Sequence, residues 1–340
     1  MLLTLIVCLT TCCSSGTADI SGPDEPGKED KTTCIIVTKA TKTARMTGQP
    51  VPGETIPSPN NTPVNYNIGG TDLGIFWKMS DNKVGILFGD TYGKAWRPGY
   101  TPEWRSNAMA WSSDKALDDG LKFDGMITDG GNVAKQIIYS AHITTGFGDW
   151  SSIPTSAIRI DGKDYVHYMN VMAWNPQWVT NWSGFAVSED DGNTWELHKN
   201  IFSSDSKFAQ MALWEKDEYI YSIGSIIGRR GLPYAARFKK EDILNPDKWE
   251  YWNSSKGWDK GRAVYSTPLF GNTKNEMYAE PTLVFHEYLN KWITVYYNEI
   301  KNRMLLGALT RLQGLGAKNN LLQQEQNILN RTEGSSIRSV

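Results

Sequence analysis

The 340-residue sequence predicts an all-β fold, a five-bladed β-propeller with an incomplete last blade, on three observations. From Tyr66 onward the chain is a series of short β-rich runs broken by Gly, Asn, Asp and Pro. Strand groups begin near Ile68, Arg105, Pro154, Phe208 and Tyr278, at spacings of 37 to 70 residues, against a usual blade period of roughly 40 to 50. No convincing helix-period segment precedes about residue 305, apart from a turn of helix at KKEDIL. A two-sheet sandwich is the structural competitor, because strand spacing does not by itself determine closure.

The first 13 residues, MLLTLIVCLTTCC, are apolar but shorter than the roughly 20 needed to span a bilayer. They read as a signal peptide, or as a lipoprotein signal in which Leu9-Thr10-Thr11-Cys12 makes Cys12 the lipidated residue, with Cys13 as the alternative. Residues 14–60 are rich in Ser, Thr, Gly, Pro, Asp and Lys and read as a flexible tether with one strand at Cys34 to Thr38. The propeller is expected over residues 61–312. Beyond it, residues 313–340 read as an atypical, truncated tail with a Gln/Asn-rich, helix-compatible middle and no clear terminal strands, which would leave the last blade's edge unpaired.

Composition excludes several partners. A formal net charge of −2 and a pI near 6.1 leave no basic footprint for nucleic acid, and no polybasic run marks an anionic membrane. Membrane contact is expected only through a lipid anchor, and the protein is expected to be a monomer at a bacterial cell surface or secreted. Fourteen Trp and fifteen Tyr, many beside Asn, Gly or Ser, either pack between sheets or offer platforms to sugar rings. Only Cys34 lies beyond the signal, and none of the four histidines has metal-ligand spacing, so neither a metal nor another cofactor is expected. There is no G-x-S-x-G elbow, P-loop or dinucleotide fingerprint, which disfavours serine nucleophiles and nucleotides.

The chemistry concentrates in Tyr66 to Gly93, where GGTDLGIFW and VGILFGDTYG each set an acid beside glycines. A hairpin through SDNK brings Asp72 and Asp90 toward one end of one sheet, and paired carboxylates suit glycoside hydrolysis. The bland reading is an Asx turn at Asp90 and a backbone hydrogen bond at Asp72. In a propeller the first strand of each blade lines the central channel. That places Glu280, at the start of the fifth inner strand, as a third acid and rival to Asp90, or as a turn residue before Pro281. It also offers Arg105 and Asn107 from WRSN, and Gln210, as binders of sugar hydroxyls, with Arg105 alternatively balancing acids. The WNPQWVTNW loop supplies Trp174, Trp178 and Trp182 for sugar stacking or inter-blade packing. His142 reaches the mouth of the site or is incidental.

Ser188 to Trp195, SEDDGNTW, fits the S-x-D-x-G-x-T-W pattern of an Asp box, found at hairpin turns of sialidase-like propellers. Asp190, Asp191 and Gly192 are then structural. Together with GGTDLGIFW, FGDTYG, WRSNAMAWS, the IPT strand start, NWSGFAVSEDDGNTW and AEPTLVF, it gives residues 64–312 a resemblance to a family of secreted bacterial propellers. That family was long catalogued as a domain of unknown function and includes endo-D-arabinanases. The resemblance implies a five-bladed glycoside hydrolase acting on a polysaccharide of D-arabinofuranose. It also implies Asp72 and Asp90 as the acidic pair, with Asp72 the expected general base and Asp90 the general acid. A non-catalytic glycan-binding surface lipoprotein is the alternative.

Overall fold

Alternating or two-sided apolar strands cannot bury their faces alone, and this chain solves the problem by packing sheet against sheet around a centre. The structure, a computed structural model, describes residues 2–11, 33–270, 277–309, 312 and 326–330. Strands β1 (Leu2–Thr11) and β2 (Thr33–Ala44) form an antiparallel pair. Next come β3 (Gly70–Thr71), β4 (Ile75–Ser80), β5 (Lys83–Phe88), β6 (Thr91–Tyr92), β7 (Ala108–Ser112) and β8 (Gly125–Met126). The first blade has the order β4-β5-β7-β8, and β3 pairs with β6 beside it.

The second blade comprises β9 (Ser151–Ile160), β10 (Lys163–Ala173), β11 (Val179–Ser188) and β12 (Glu196–Ser203). In the third, β13 (Gln210–Lys216), β14 (Tyr219–Ser225), β15 (Tyr234–Phe238), β16 (Glu250–Asn253) and β17 (Gly257–Lys260) follow one another in order. The fourth contains β18 (Val284–His286), β19 (Lys291–Asn298), β20 (Arg303–Leu309) and β21 (Gln326–Asn330). All pairings within the blades are antiparallel, and β4, β9, β13 and β18 lie successively side by side.

The cores lie between blades, as propeller geometry requires. Trp77, Met79 and Met109 of the first blade meet Val166, Tyr168 and Ala186 of the second. Ile158, Phe185 and Phe202 meet Phe208, Ile220 and Trp249 of the third. Ile223 and Trp252 meet Phe285, Trp292 and Leu305 of the fourth. A polar tie reinforces the first seam: Trp77 Nε1 donates to the buried Asp164 Oδ1 at 2.9 Å. Trp77 lies directly over Gly85, where a Cβ would fall 2.2 Å from the ring, so only glycine admits this packing.

Three expectations change. The groups expected to begin separate blades at Ile68 and Arg105 share one sheet, because β7 pairs with β5 in register Phe88↔Ala108. Four blade sheets of four or five strands are therefore present among the described residues, where five were expected. In the region read as a tail without clear strands, β21 pairs with β20 and completes a fourth strand of the last blade, and β2 runs against β21. Residues 45–60, placed by composition in the tether, pack on the first blade: Met46 is buried with Ile68 and Leu121, and Asn60 Nδ2 donates to Met46 O and Leu121 O. The turn of helix expected at KKEDIL is present as a single 3-10 turn, Lys240–Asp242. Cys12 and Cys13 lie outside the described residues.

Candidate active site

β3 and β6 bring the first two acids together through their backbones. Asp72 N–H donates to Asp90 O at 2.8 Å, whereas Gly89 N–H returns to Asp72 O at 3.0 Å, so Gly89 and Asp90 jointly oppose Asp72. Such an offset re-aims side chains next to it. Leu73 follows in the left-handed region at φ 61°, its N–H held by Asp72 Oδ1 at 2.9 Å.

Asp90 carries a strongly perturbed carboxyl. Burial pushes its pKa up to about 7, and the negative charge of Asp72 adds to the effect. Hydrogen bonds from Trp104 Nε1 at 2.8 Å and Ser151 Oγ at 3.3 Å, both to Oδ1, act in the opposite direction. Near neutrality Asp90 is thus divided between acid and carboxylate, as a general acid working at that pH requires.

Glu280 approaches from the fourth blade. It sits in the left-handed region at φ 49°, and its partner Arg229 does so at φ 56°. Arg229 Nη2 meets Glu280 Oε1 at 2.7 Å, Nε meets the same oxygen at 3.1 Å, and Nη1 lies 3.7 Å from Glu299. The guanidinium is held over the rings of Trp178 at 4.9 Å and Tyr297 at 5.2 Å. Burial raises the Glu280 pKa, opposed by Arg229 and reinforced by the charge of Asp72. Asp72 therefore acts electrostatically on Asp90, Glu280 and Arg229 alike. Two strained non-glycine residues joined by an ion pair are a costly local arrangement of the kind that clusters at functional sites.

The expected hydroxyl binders are placed otherwise. Asn107 is fully buried and spends its amide on backbone: Nδ2 donates to Ile138 O and Ser152 O, and Oδ1 accepts from the N–H groups of Ile137 and Ile138. Arg105 is 9% exposed and clamps Ala134 O and Asn67 O. Both belong to the scaffold: they lead into β7, the third strand of the first blade and not its innermost, and their side chains satisfy backbone groups of the loops around them. Gln210 is buried, and its Nε2 has no partner among the described residues. Trp182 packs edge-on against Tyr168 between blades, whereas Trp174 and Trp178 meet edge-on at 4.9 Å beside Leu73. His142 stacks on Trp104 at 4.2 Å, with Nε2 within 2.9 Å of Gln136 Oε1 and 3.1 Å of Ser106 Oγ. Burial lowers its pKa.

Trp104, Ser151 and Arg229 are site residues that sequence reasoning did not assign. Trp104 directly precedes Arg105 in WRSN, so the signal was adjacent but attached to the wrong side chain. In the Ser188–Trp195 turn, Asp190 Oδ1 accepts from Thr194 N–H at 2.8 Å and Ser188 Oγ at 2.9 Å, Oδ2 accepts from Thr194 Oγ1 at 2.7 Å, and Trp195 Nε1 donates to Gly192 O. Asp190 serves the turn, whereas Asp191 Oδ1 accepts from Arg159 Nη1 at 2.9 Å. No cluster of three or more His, Cys, Asp or Glu among the described residues is arranged to hold a metal ion.

Comparison with known proteins bears on the whole propeller. The model of the family described as "Domain of unknown function (DUF4185)" matches residues 57–332. Notoamide biosynthesis cluster protein J' of Aspergillus versicolor is 25% identical over 248 residues, 68% of this chain and 66% of the relative. Protein J of the same name from Aspergillus sp. strain MF297-2 is 24% identical over 247 residues, 68% of this chain and 65% of the relative. The chain thus spans just under two thirds of the length of these curated relatives. A crystal structure of a candidate hydrolase from Bacteroides ovatus superposes with a TM-score of 0.52 at 12% identity, covering 78% of this chain and 71% of that one. That likeness is one of fold.

Proposed function

The chain belongs to the DUF4185 family, and from that membership and the geometry of its acids we propose that it is a glycoside hydrolase, endo-acting on D-arabinan or a related furanose polysaccharide. The observation that carries the reading is the Asp72–Asp90 pair, two carboxyls on adjoining strands of which one is raised to about 7. In this mechanism Asp90, protonated, delivers its proton to the departing glycosidic oxygen as the C–O bond breaks. Asp72, ionised, either takes a proton from the attacking water or bonds to the anomeric carbon itself. Each cycle ends with water split between the two sugar ends and the Asp90 proton restored.

Glu280 takes a supporting part in this reading. Its carboxyl is engaged by Arg229, so its charge and position serve the oxocarbenium-like transition state and the orientation of Asp72, leaving proton delivery to Asp90. Export and lipidation at Cys12, supported by the Leu9–Cys12 run, would hold the enzyme at a bacterial envelope as a monomer.

Incubating the protein with D-arabinan and sizing the products tests the proposal. Short oligosaccharides from the native protein, absent with Asp72→Asn or Asp90→Asn, are expected. Undiminished cleavage by the double variant would overturn it, and binding without products would favour a glycan-binding module instead.

A further inference from the structure

Trp96 lies flat against the backbone of Gly70. A Cβ there would meet Cδ2 of the indole at 3.1 Å and Cε3 at 3.2 Å, so a residue without a side chain lets the ring sit this close. Gly70 pairs with Tyr92, and Thr71 with Thr91, in the β3–β6 ladder. Side chains opposite one another or two residues apart in a ladder share a face. The indole of Trp96 and the phenol of Tyr92 therefore share one face, with Asp72 and Asp90 next along the two strands, while Thr91 is fully buried on the other face. Burial and the charges of Asp90 and Asp72 all raise the phenol's pKa, consistent with that grouping.

The turn that carries Trp96 is tied down. Trp96 N–H donates to Gly93 O at 2.9 Å, Lys94 N–H to Asn67 Oδ1 at 3.0 Å, and Gln49 Nε2 to Lys94 O at 3.1 Å. Neither ring belongs to the inter-blade cores, and both are half-buried. Among the described residues neither Tyr92 Oη nor Trp96 Nε1 has a hydrogen-bond partner. Trp174 and Trp178 pack against the same buried cluster as Leu73, the residue after Asp72.

We propose that Trp96 and Tyr92 form a sugar subsite beside the cleavage point, in which a furanose ring stacks on the indole and one of its hydroxyls is bonded by Tyr92 Oη. The proposal rests on the reading of the site as a glycosidase. The C–H edges of a furanose carry partial positive charge and suit the negative face of an indole, and a phenol both donates to and accepts from hydroxyls. Because Gly70 and the pinned turn hold the ring in place, little ordering is left to binding. Such contacts hold ground state and transition state alike, so they act on KM more than on kcat.

Titrating a D-arabinofuranose oligosaccharide into the Asp72→Asn, Asp90→Asn protein by calorimetry, with and without Trp96→Ala, tests the subsite apart from hydrolysis. Trp96→Ala is expected to weaken binding about tenfold, with Trp96→Phe recovering part of the loss. Gly70→Ala, which displaces the indole without altering it, is expected to act in the same direction. In the catalytically intact protein Trp96→Ala should raise KM for arabinan while largely sparing kcat. Unchanged affinity in Trp96→Ala protein that melts like its parent overturns the subsite, and arabinan cleavage surviving beside that result leaves the glycosidase reading intact. Trp96-dependent binding without cleavage by the native protein sinks the hydrolase and keeps the subsite. No binding by the parent removes both.

Discussion

Trp104 donates its indole N–H to Asp90 Oδ1 at 2.8 Å while its ring stacks on His142 at 4.2 Å. The carboxyl raised to about 7 is thus held by a donor that favours its ionised form, and burial prevails over that donor. His142 in turn is held through Gln136 and Ser106, so the loop around it fixes the angle at which the indole meets the acid. Position and proton affinity of Asp90 are therefore set by residues outside its own hairpin.

The pH–rate profile is the first consequence. With Asp90 as the acid, kcat/KM should fall about tenfold per pH unit above pH ~7. Trp104→Phe removes a donor to the carboxylate, so the alkaline limb should move to higher pH. Kinetics across pH 5 to 9 check both statements, and a limb that stays in place in Trp104→Phe would separate Asp90 from the acid role. Asp90→Asn should lower kcat by about a hundredfold or more.

Stability should carry the same signature. Asp90 binds its proton more tightly folded than unfolded, so its contribution is full below the unfolded pKa of 3.8 and is lost as pH rises through about 7. The loss is at most ~4 kcal/mol over that window. Asp90→Asn should flatten the decline, read as denaturant midpoints at pH 4, 6 and 8.

Removing Arg229 should expose the cost of the Glu280 carboxylate. About a quarter of each side chain is open to solvent, so Arg229→Met is expected to destabilise by about 2 kcal/mol, below the range for fully buried pairs. Adding Glu280→Gln should restore part of that. A double-mutant cycle by thermal unfolding gives the coupling energy, and strict additivity would show that the pair contributes none.

Acid sensitivity should have a separate source at His167. It is fully buried, its Nδ1 lies 2.6 Å from Thr155 Oγ1, and its Nε2 has no partner among the described residues; burial pushes its pKa down to about 3. A depressed histidine stabilises above its ordinary pKa of 6.5 and loses that contribution as pH falls toward 3. His167→Gln should lessen the decline in melting temperature between pH 6.5 and 4, even if its starting stability is lower.

Local chemistry made a large part of this protein legible. The period-two runs, their Gly and Asp punctuation and the lack of helix-period segments specify short antiparallel strands, while closure into a propeller rather than a two-sheet sandwich needs the packing of sheet on sheet. The acids of GGTDLG and FGDTYG were findable because their hairpin joins residues close in sequence, and Asp72 and Asp90 do meet through backbone hydrogen bonds. Blade count and side-chain duty were not local quantities. Ile68 and Arg105 begin strand groups that look alike in sequence, yet β5 takes β7 as its neighbour and merges them in one sheet. Asn107 reads as a hydroxyl binder until the 137–138 and 152 backbones close around its amide.

Sequence alone determined the all-β character and the inter-blade aromatic supply, and it placed Asp72 and Asp90 on adjoining strands, because each depends on residues within one hairpin or one strand period. Tertiary structure alone decided which acid holds its proton near neutrality. That follows from desolvation, from the Asp72 charge and from donors at Trp104 and Ser151, 14 and 61 residues away along the chain. It likewise decided that Arg229, 51 residues from Glu280, restrains the third carboxylate. Burial and charge proximity arise only when the blades close around the channel, so no window of sequence contains them.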